Sequence, residues 1–348
     1  MHPNRWRALS RLARPVFLLA AATAACAAPV TRIPAGGRAA PVPVPISRKA
    51  AAATAATSPT TAKPARAPAT TTTAAATTTI AAPVVTAPPA SPPPVWAGKG
   101  MWIWQPEYAD GGDGAAIVQR ALAEGITTIY VRTGSSHDGL TVDWAMDFLP
   151  FAHAAGIRVI GWDFPELDDV GSDVLRAVAA ITATAVDGSH LDGFAADIET
   201  PSEGTNLTPQ NVFDYGWTLR NTVAPLPLIV CVPNPSPEYQ GFYPYAEAIS
   251  AFDAIAPMVY WLNRDPGTDV AQAIDFLTQF QKPIAPVGQA FDGGPEGGRD
   301  GQPSAFEIST FAQTALEHGA AGLSFWSWQH ADDDTFANIG SLPEVGIH

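Results

Sequence analysis

From Gly98 onward one pattern recurs eight times: a short apolar run that ends in a polar or aromatic residue, followed by a stretch of helical spacing. The runs are "GMWIW" (100–104), "TIYVRT" (128–133), "RVIGWDF" (158–164) and "GFAADIE" (193–199), then "LIVCVPN" (228–234), "AIAPMVYW" (254–261), "PIAPVGQAF" (283–291) and "GLSFWSW" (322–328). Their spacing, roughly 25–35 residues, is the length of one βα unit. Eight such units over residues 98–348 predict an α/β chain folded as a (β/α)8 TIM barrel. A doubly wound open sheet is the competing architecture. It usually carries a Gly-rich phosphate loop after its first strand, and "WIWQPEYADGGDG" lacks the G-x-G-x-x-G spacing.

The intervening segments carry helix boundary signals. "DGAAIVQRALAEG" (113–125) sets Ile117, Ala121 and Leu122 on one stripe and stops at Gly125, and "VDWAMDFLPFAHAAG" (142–156) also stops at glycine. "SDVLRAVAAITATAV" (172–186) opens on a capping serine. "TPQNVFDYGWTLRNTV" (208–223) opens on a Thr cap with proline at the first turn. "DVAQAIDFLTQF" (269–280) and "SAFEISTFAQTALEHG" (304–319) complete the set.

Charge divides the chain in two. Residues 1–97 hold ten Lys and Arg and no acid, whereas the remainder holds nine Lys and Arg against all 33 acids, a net of −24. So acidic a body excludes binding to nucleic-acid backbones, which need clustered basic side chains. Residues 1–26 are expected to be an export signal: Arg5, Arg7, Arg11 and Arg14 precede the short apolar core "PVFLLAAATAA". The segment ends at Cys26 and resembles a bacterial lipobox, with Thr23 where Leu is usual. Lipidation of Cys26 and ordinary cleavage nearby both stay open, so the membrane enters only through a lipid anchor. Residues 27–97 are Ala, Thr and Pro in short repeats, with little to bury, and are expected to form a disordered, semi-stiff linker. An extracellular or cell-surface location follows. With Cys26 removed or lipidated, Cys231 is left without a disulfide partner, and its apolar setting suits a buried thiol.

Barrel chemistry stands at the C-terminal ends of the strands. Those ends carry Trp104, Arg132, Asp163, Asp197, Glu199 and Asn234, then Tyr260, Trp261, Gln289, Asp292, Trp326, Trp328 and Gln329. Carboxylates, amides and tryptophans gathered on one rim suit carbohydrate, because indole faces stack on sugar rings and the polar groups meet the hydroxyls. Alternation along the fourth run puts Ala195, Asp197 and Glu199 on one face and Phe194, Ala196 and Ile198 on the other. Both acids should therefore enter the barrel mouth, where mutual repulsion favours keeping a proton on one of them. Pairing with Arg132 or another strand-end cation is the structural alternative. Scattered histidines give no metal-ligand spacing, and neither a metal nor a cofactor is expected.

"DGFAADIE" resembles D-G-x-D-x-D-x-E, the strand-four signature of family 18 glycoside hydrolases, the chitinases and endo-N-acetylglucosaminidases. "MVYW" (258–261) resembles the M-x-Y-D of that family, and "GLSFWSW" its last strand, so the likeness spans roughly residues 190–330. It implies that Glu199 protonates the leaving oxygen and that Asp197 orients the substrate acetamido group. Tyr260 would steady that group, and Trp326 would floor the sugar site. Two positions depart from the pattern: Ala195 and Trp261 stand where the family has Asp. The D-x-E pair also resembles strand four of family 25 lysozymes, whose strand-one Asp is absent from "GMWIWQ". The expected partner is a polysaccharide, chitin-like or peptidoglycan, and the expected state is a monomer. A non-catalytic, lectin-like barrel at the cell wall is the alternative to an enzyme.

Overall fold

The computed structural model describes residues 92–345. The expected export signal with Cys26, and nearly all of the expected linker over 27–97, lie outside those residues. Nine strands form one sheet: β1 (Lys99–Ile103), β2 (Thr128–Ser135), β3 (Gly139–Leu140), β4 (Arg158–Phe164) and β5 (Gly193–Asp197), then β6 (Leu228–Pro233), β7 (Ala254–Val259), β8 (Val287–Gln289) and β9 (Leu323–Trp326). The order β1-β9-β8-β7-β6-β5-β4-β2, closed by β1–β2 pairing, is a ring of eight parallel strands. Strand β3 is a short antiparallel addition to the end of β2. This is the TIM barrel that the eightfold spacing predicts.

Alternation sorts each strand into an inner and an outer face. Outward residues such as Ile129, Val159, Phe194, Val230, Ile255 and Phe325 join the layer beneath the helices. Inward residues form a separate cluster around Trp102, Tyr130, Trp162 and Cys231. Three large rings fit inside because the facing strands contribute Ala195, Ala254 and Ala256. Alternating large and small side chains is how a narrow barrel fills without voids. Trp102 stacks on Tyr130 with centroids 4.2 Å apart. Its indole N–H donates to Ser324 Oγ at 2.9 Å, so the buried polar atom has a partner.

The helices are α1 (Gly114–Ala123), α2 (Asp143–Ala154), α3 (Val170–Thr182), α4 (Pro209–Val223), α5 (Pro237–Gln240), α6 (Tyr245–Ser250), α7 (Pro266–Leu277), α8 (Ala305–Glu317) and α9 (Asp333–Gly340). Thr208 caps α4 as its sequence predicts, and Ser304 closes a reciprocal capping box with Glu307 on α8. The capping serine expected for α3 is corrected: Asp169 is the cap and takes the Ser172 N–H at 3.1 Å. A carboxylate three residues upstream gives the first turn its acceptor earlier. Leu122, placed on the buried stripe of α1, is 55% exposed. Helices α5, α6 and α9 are short and carry no predicted element.

Two features close the lower end. Val95 and Trp96, just ahead of β1, pack against the inner cluster. Trp96 lies so close to Gly322 that an added Cβ there would meet its carbonyl oxygen at 1.8 Å. Lys99, 6% exposed, sends its ammonium to the carbonyls of Ile339 and Gly340, each at 3.1 Å, and Leu342 at 3.5 Å. It thereby supplies the donors that the C-terminus of α9 lacks and ties the first strand to the last helix. Burial holds its pKa below the ordinary lysine value. Replacing Lys99 by Met keeps the aliphatic stem but strands those carbonyls, and should cost roughly 2–3 kcal/mol in urea unfolding with an unchanged m-value.

Candidate active site

Strand β5 delivers the two acids. Asp197 is its last residue, and Glu199 follows after Ile198, whose side chain turns into the outer layer. Both carboxyls line one cavity at the C-terminal mouth with Trp102, Cys231, Met258, Tyr260, Val287 and Trp326. The cavity holds about 30 Å³, room for one or two water-sized groups. Trp326 tilts against Trp102 and meets Trp162 edge-on at 5.5 Å, so its ring is held by the inner aromatic cluster.

Neither acid is locked in an ion pair among the described residues. Arg132, the cation that would neutralise them, instead holds Asp138 at 2.5 Å, and its Nε is buried without an acceptor. The Oδ1 of Asp197 is likewise buried without a donor. A buried carboxylate oxygen that lacks a partner is costly, and such atoms collect where a ligand completes the structure. Burial raises the Asp197 pKa to about 7; the charges of Asp163 and Glu203 push the same way, and Arg132 opposes them. Glu199 is raised well above its ordinary value, first by burial and then by Asp197 and Glu203. Together the two carboxyls titrate as a pair that retains a proton near neutrality.

The other predicted residues divide between the mouth and the walls. Tyr260 is in the cavity, and burial followed by Asp197, Cys231 and Glu199 raises its hydroxyl pKa. Trp104 stands at the rim, half-buried, its ring stacked on Trp326 at 6.5 Å and 27°. Asn234 is half-buried at the end of β6. Trp261 does not reach the mouth: strand alternation turns it outward, fully buried against Phe311 at 5.4 Å. Asp163 also faces the wall, its side chain 1% exposed, and is bound by Arg176 at 2.8 and 3.0 Å. Alternation along β4 is the cause: Ile160 and Trp162 face the interior, so Asp163 faces out.

Gln289 is 2% exposed and spends its amide on the Leu262 N–H and the Phe291 carbonyl, so it holds the backbone of the loops beside it. Asp292 is exposed and takes the N–H groups of Gly294 and Gly301, ordering the glycine-rich loop. Trp328 is buried on Phe336, with Gln329 beside it in a separate cavity. Two residues near the acids went unforeseen. Glu203, four positions after Glu199, and Tyr239, on the short helix α5 after β6, are both close enough to interact with Glu199. Both lie outside the strands, where alternation gives no direction. Among the described residues no group of His, Cys, Asp and Glu could hold a metal ion.

No protein-family profile and no curated protein sequence matches the chain. Solved structures do match it in fold. A chitinase from Chromobacterium violaceum ATCC 12472 is 15% identical with a TM-score of 0.50, covering 70% of this chain and 98% of that one. A family GH18 chitinase from Cycas revoluta is 13% identical with a TM-score of 0.52, covering 70% and 99%. An endo-1,4-beta-mannanase from Rhizomucor miehei is 8% identical with a TM-score of 0.54, covering 70% and 93%. At such identities the likeness establishes the shared barrel.

The raised pKa values have a stability consequence. The folded state binds these protons more tightly than the unfolded chain does. The resulting stability is fully present below about pH 4 and is lost as pH rises towards 7. Asp197→Asn should match wild type in urea midpoint near pH 4. It should become the more stable form at pH 8, by on the order of 1–3 kcal/mol. A variant that is weaker at every pH would contradict this electrostatic account.

Proposed function

We propose that the protein is a glycoside hydrolase acting on an N-acetylated polysaccharide, with Glu199 as its general acid. One observation carries the reading: two carboxyls without ion-pair partners share a cavity that raises the proton affinity of both. A glycosidase needs a carboxyl that stays protonated beside the scissile oxygen. The cavity is too small for a sugar ring but suits a substituent such as an acetamido group. The ring itself would rest on the face of Trp326.

In the route implied by the family 18 resemblance, the acetamido carbonyl oxygen attacks the anomeric carbon. The bond to the leaving oxygen breaks, and that oxygen takes the proton of Glu199. Asp197, whose Oδ1 has no donor, accepts the acetamido N–H, and Tyr260 steadies the carbonyl. Water then attacks the anomeric carbon, the bond to the acetamido oxygen breaks and restores the acetamido group, and the water's proton goes to Glu199, with configuration retained. Trp261, buried in the wall, contributes nothing to this chemistry. The printed names of the fold neighbours, chitinases and a mannanase among them, support carbohydrate as the substrate class. A Bacillus cereus spore cortex-lytic enzyme of the same fold, 11% identical with a TM-score of 0.52, adds to that support. We read residues 1–26 as an export signal and the Ala/Thr/Pro-rich stretch as a tether, with the barrel working at the cell surface or released from it.

The test compares wild type with Glu199→Gln on chitin oligomers and peptidoglycan glycan strands. Wild type should release reducing ends, and the variant should lose about 100-fold or more in kcat while still binding. The pH profile of wild type should fall on the alkaline side as the pair loses its proton. Binding by both forms without release of reducing ends would identify a lectin-like barrel. Absence of both cutting and binding would exclude a glycan ligand.

A further inference from the structure

A second cavity, of about 290 Å³, opens between the β1–α1 loop and the segment after β9. Its lining includes Tyr108, Asp110, Arg120, Trp328, Gln329, Asp332 and Asp333. That volume is near the lower end for small-molecule sites and is ample for one sugar ring. Its walls are braced. Arg120 holds Asp110 at 3.0 Å and Asp333 at 2.8 Å while lying 4.8 Å over Phe336, and the Trp328 indole N–H donates to Asp110 at 3.0 Å. A cavity fixed in this way needs little ordering when a ligand enters.

The polar groups indicate what enters. The Gln329 Oε1 takes the backbone N–H of Trp104 at 3.4 Å, whereas its Nε2 is buried and has no acceptor. This unmet donor needs an oxygen. Three carboxylates line the cavity, and the one guanidinium is already committed to two of them, so an anion is disfavoured. The third, Asp332, caps α9 through the Thr335 N–H at 2.8 Å. With those charges engaged, the remaining acceptor capacity suits neutral hydroxyl groups better than an ammonium. Tyr108, 65% exposed, offers a flat apolar ring at the edge. An aromatic face, one unfilled amide donor and several carboxylate acceptors are the groups that a sugar requires.

Trp104 stands between residues of the two linings: its ring stacks on Trp326 of the first, and its backbone N–H donates to Gln329 of the second. We infer that the second cavity is a subsite for a further sugar unit of the same glycan chain that reaches Glu199. The inference rests on the hydrolase reading for its substrate. It makes the protein selective for chains long enough to span Trp326, Trp104 and Tyr108.

The probes are N-acetylglucosamine oligomers of two to six units, titrated into the Glu199→Gln protein so that no chain is cut. Binding is followed by calorimetry and by the indole N–H resonances of Trp326 and Trp328, each assigned by its Trp→Phe variant. Affinity should rise about tenfold once the chain is long enough to shift Trp328. Tyr108→Ala should abolish that length-dependent gain, and Tyr108→Trp should keep it. A Trp328 resonance that stays fixed with every oligomer overturns the subsite, as does a gain that survives Tyr108→Ala. Release of reducing ends by wild type decides the hydrolase reading separately. Cutting with a silent Trp328 sinks only the subsite, and a shifted Trp328 without cutting sinks only the hydrolase.

Discussion

The inner packing of the barrel sets the terms for everything above it. Trp102, Tyr130 and Trp162 fill the lower and middle interior, and they fit because Ala195, Ala254 and Ala256 stand on the facing strands. Trp162 and Ala195 are neighbours in register across β4 and β5. A longer side chain at 195 would have to share space with an indole. Trp102 belongs both to this packed interior and to the lining of the cavity that holds Asp197 and Glu199. Desolvation is accordingly the leading cause of both raised pKa values.

This packing gives the departure at Ala195 a physical meaning. In the family 18 pattern an inward Asp lies two residues before Asp197, where its charge would couple to that carboxyl. Here the position belongs to the packed core, and burial pushes Asp197 in the same direction. Like charge still contributes, but from elsewhere: Asp163 through the wall and Glu203 from the loop after β5. Arg132 works against them, but its salt bridge with Asp138 draws it to the rim and leaves the two acids without an ion pair. An acid pair poised in this way depends on the core below it as much as on its own two residues.

The barrel was legible because periodicity survives translation into structure so directly. Eight apolar runs at βα spacing became eight parallel strands, and alternation along β5 correctly divided Phe194, Ala196 and Ile198 from Ala195 and the acids. The same logic, applied only to the ends of strands, misplaced several rim residues. Trp261 follows Tyr260, and adjacent strand residues face opposite sides, so one of the two had to leave the mouth. Asp163 left the mouth for the same reason, because Trp162 beside it faces the interior. Gln289 and Asp292 have polar side chains that serve nearby backbone groups, a use that residue type alone does not distinguish from ligand binding.

What the sequence determined by itself was the strand–helix alternation, the two faces of β5 and the presence of two acids at its end, because these depend on spacing along one segment. The tertiary structure decided which cations those acids could reach, how deeply they were desolvated and which aromatic ring lay beneath them. It also brought Tyr108 and Gln329, more than two hundred residues apart, to one cavity. Those outcomes depend on closure of the ring, which sets the first strand beside the last. Contacts across that seam carry no periodic signal in the chain, so they become visible only when the barrel is closed.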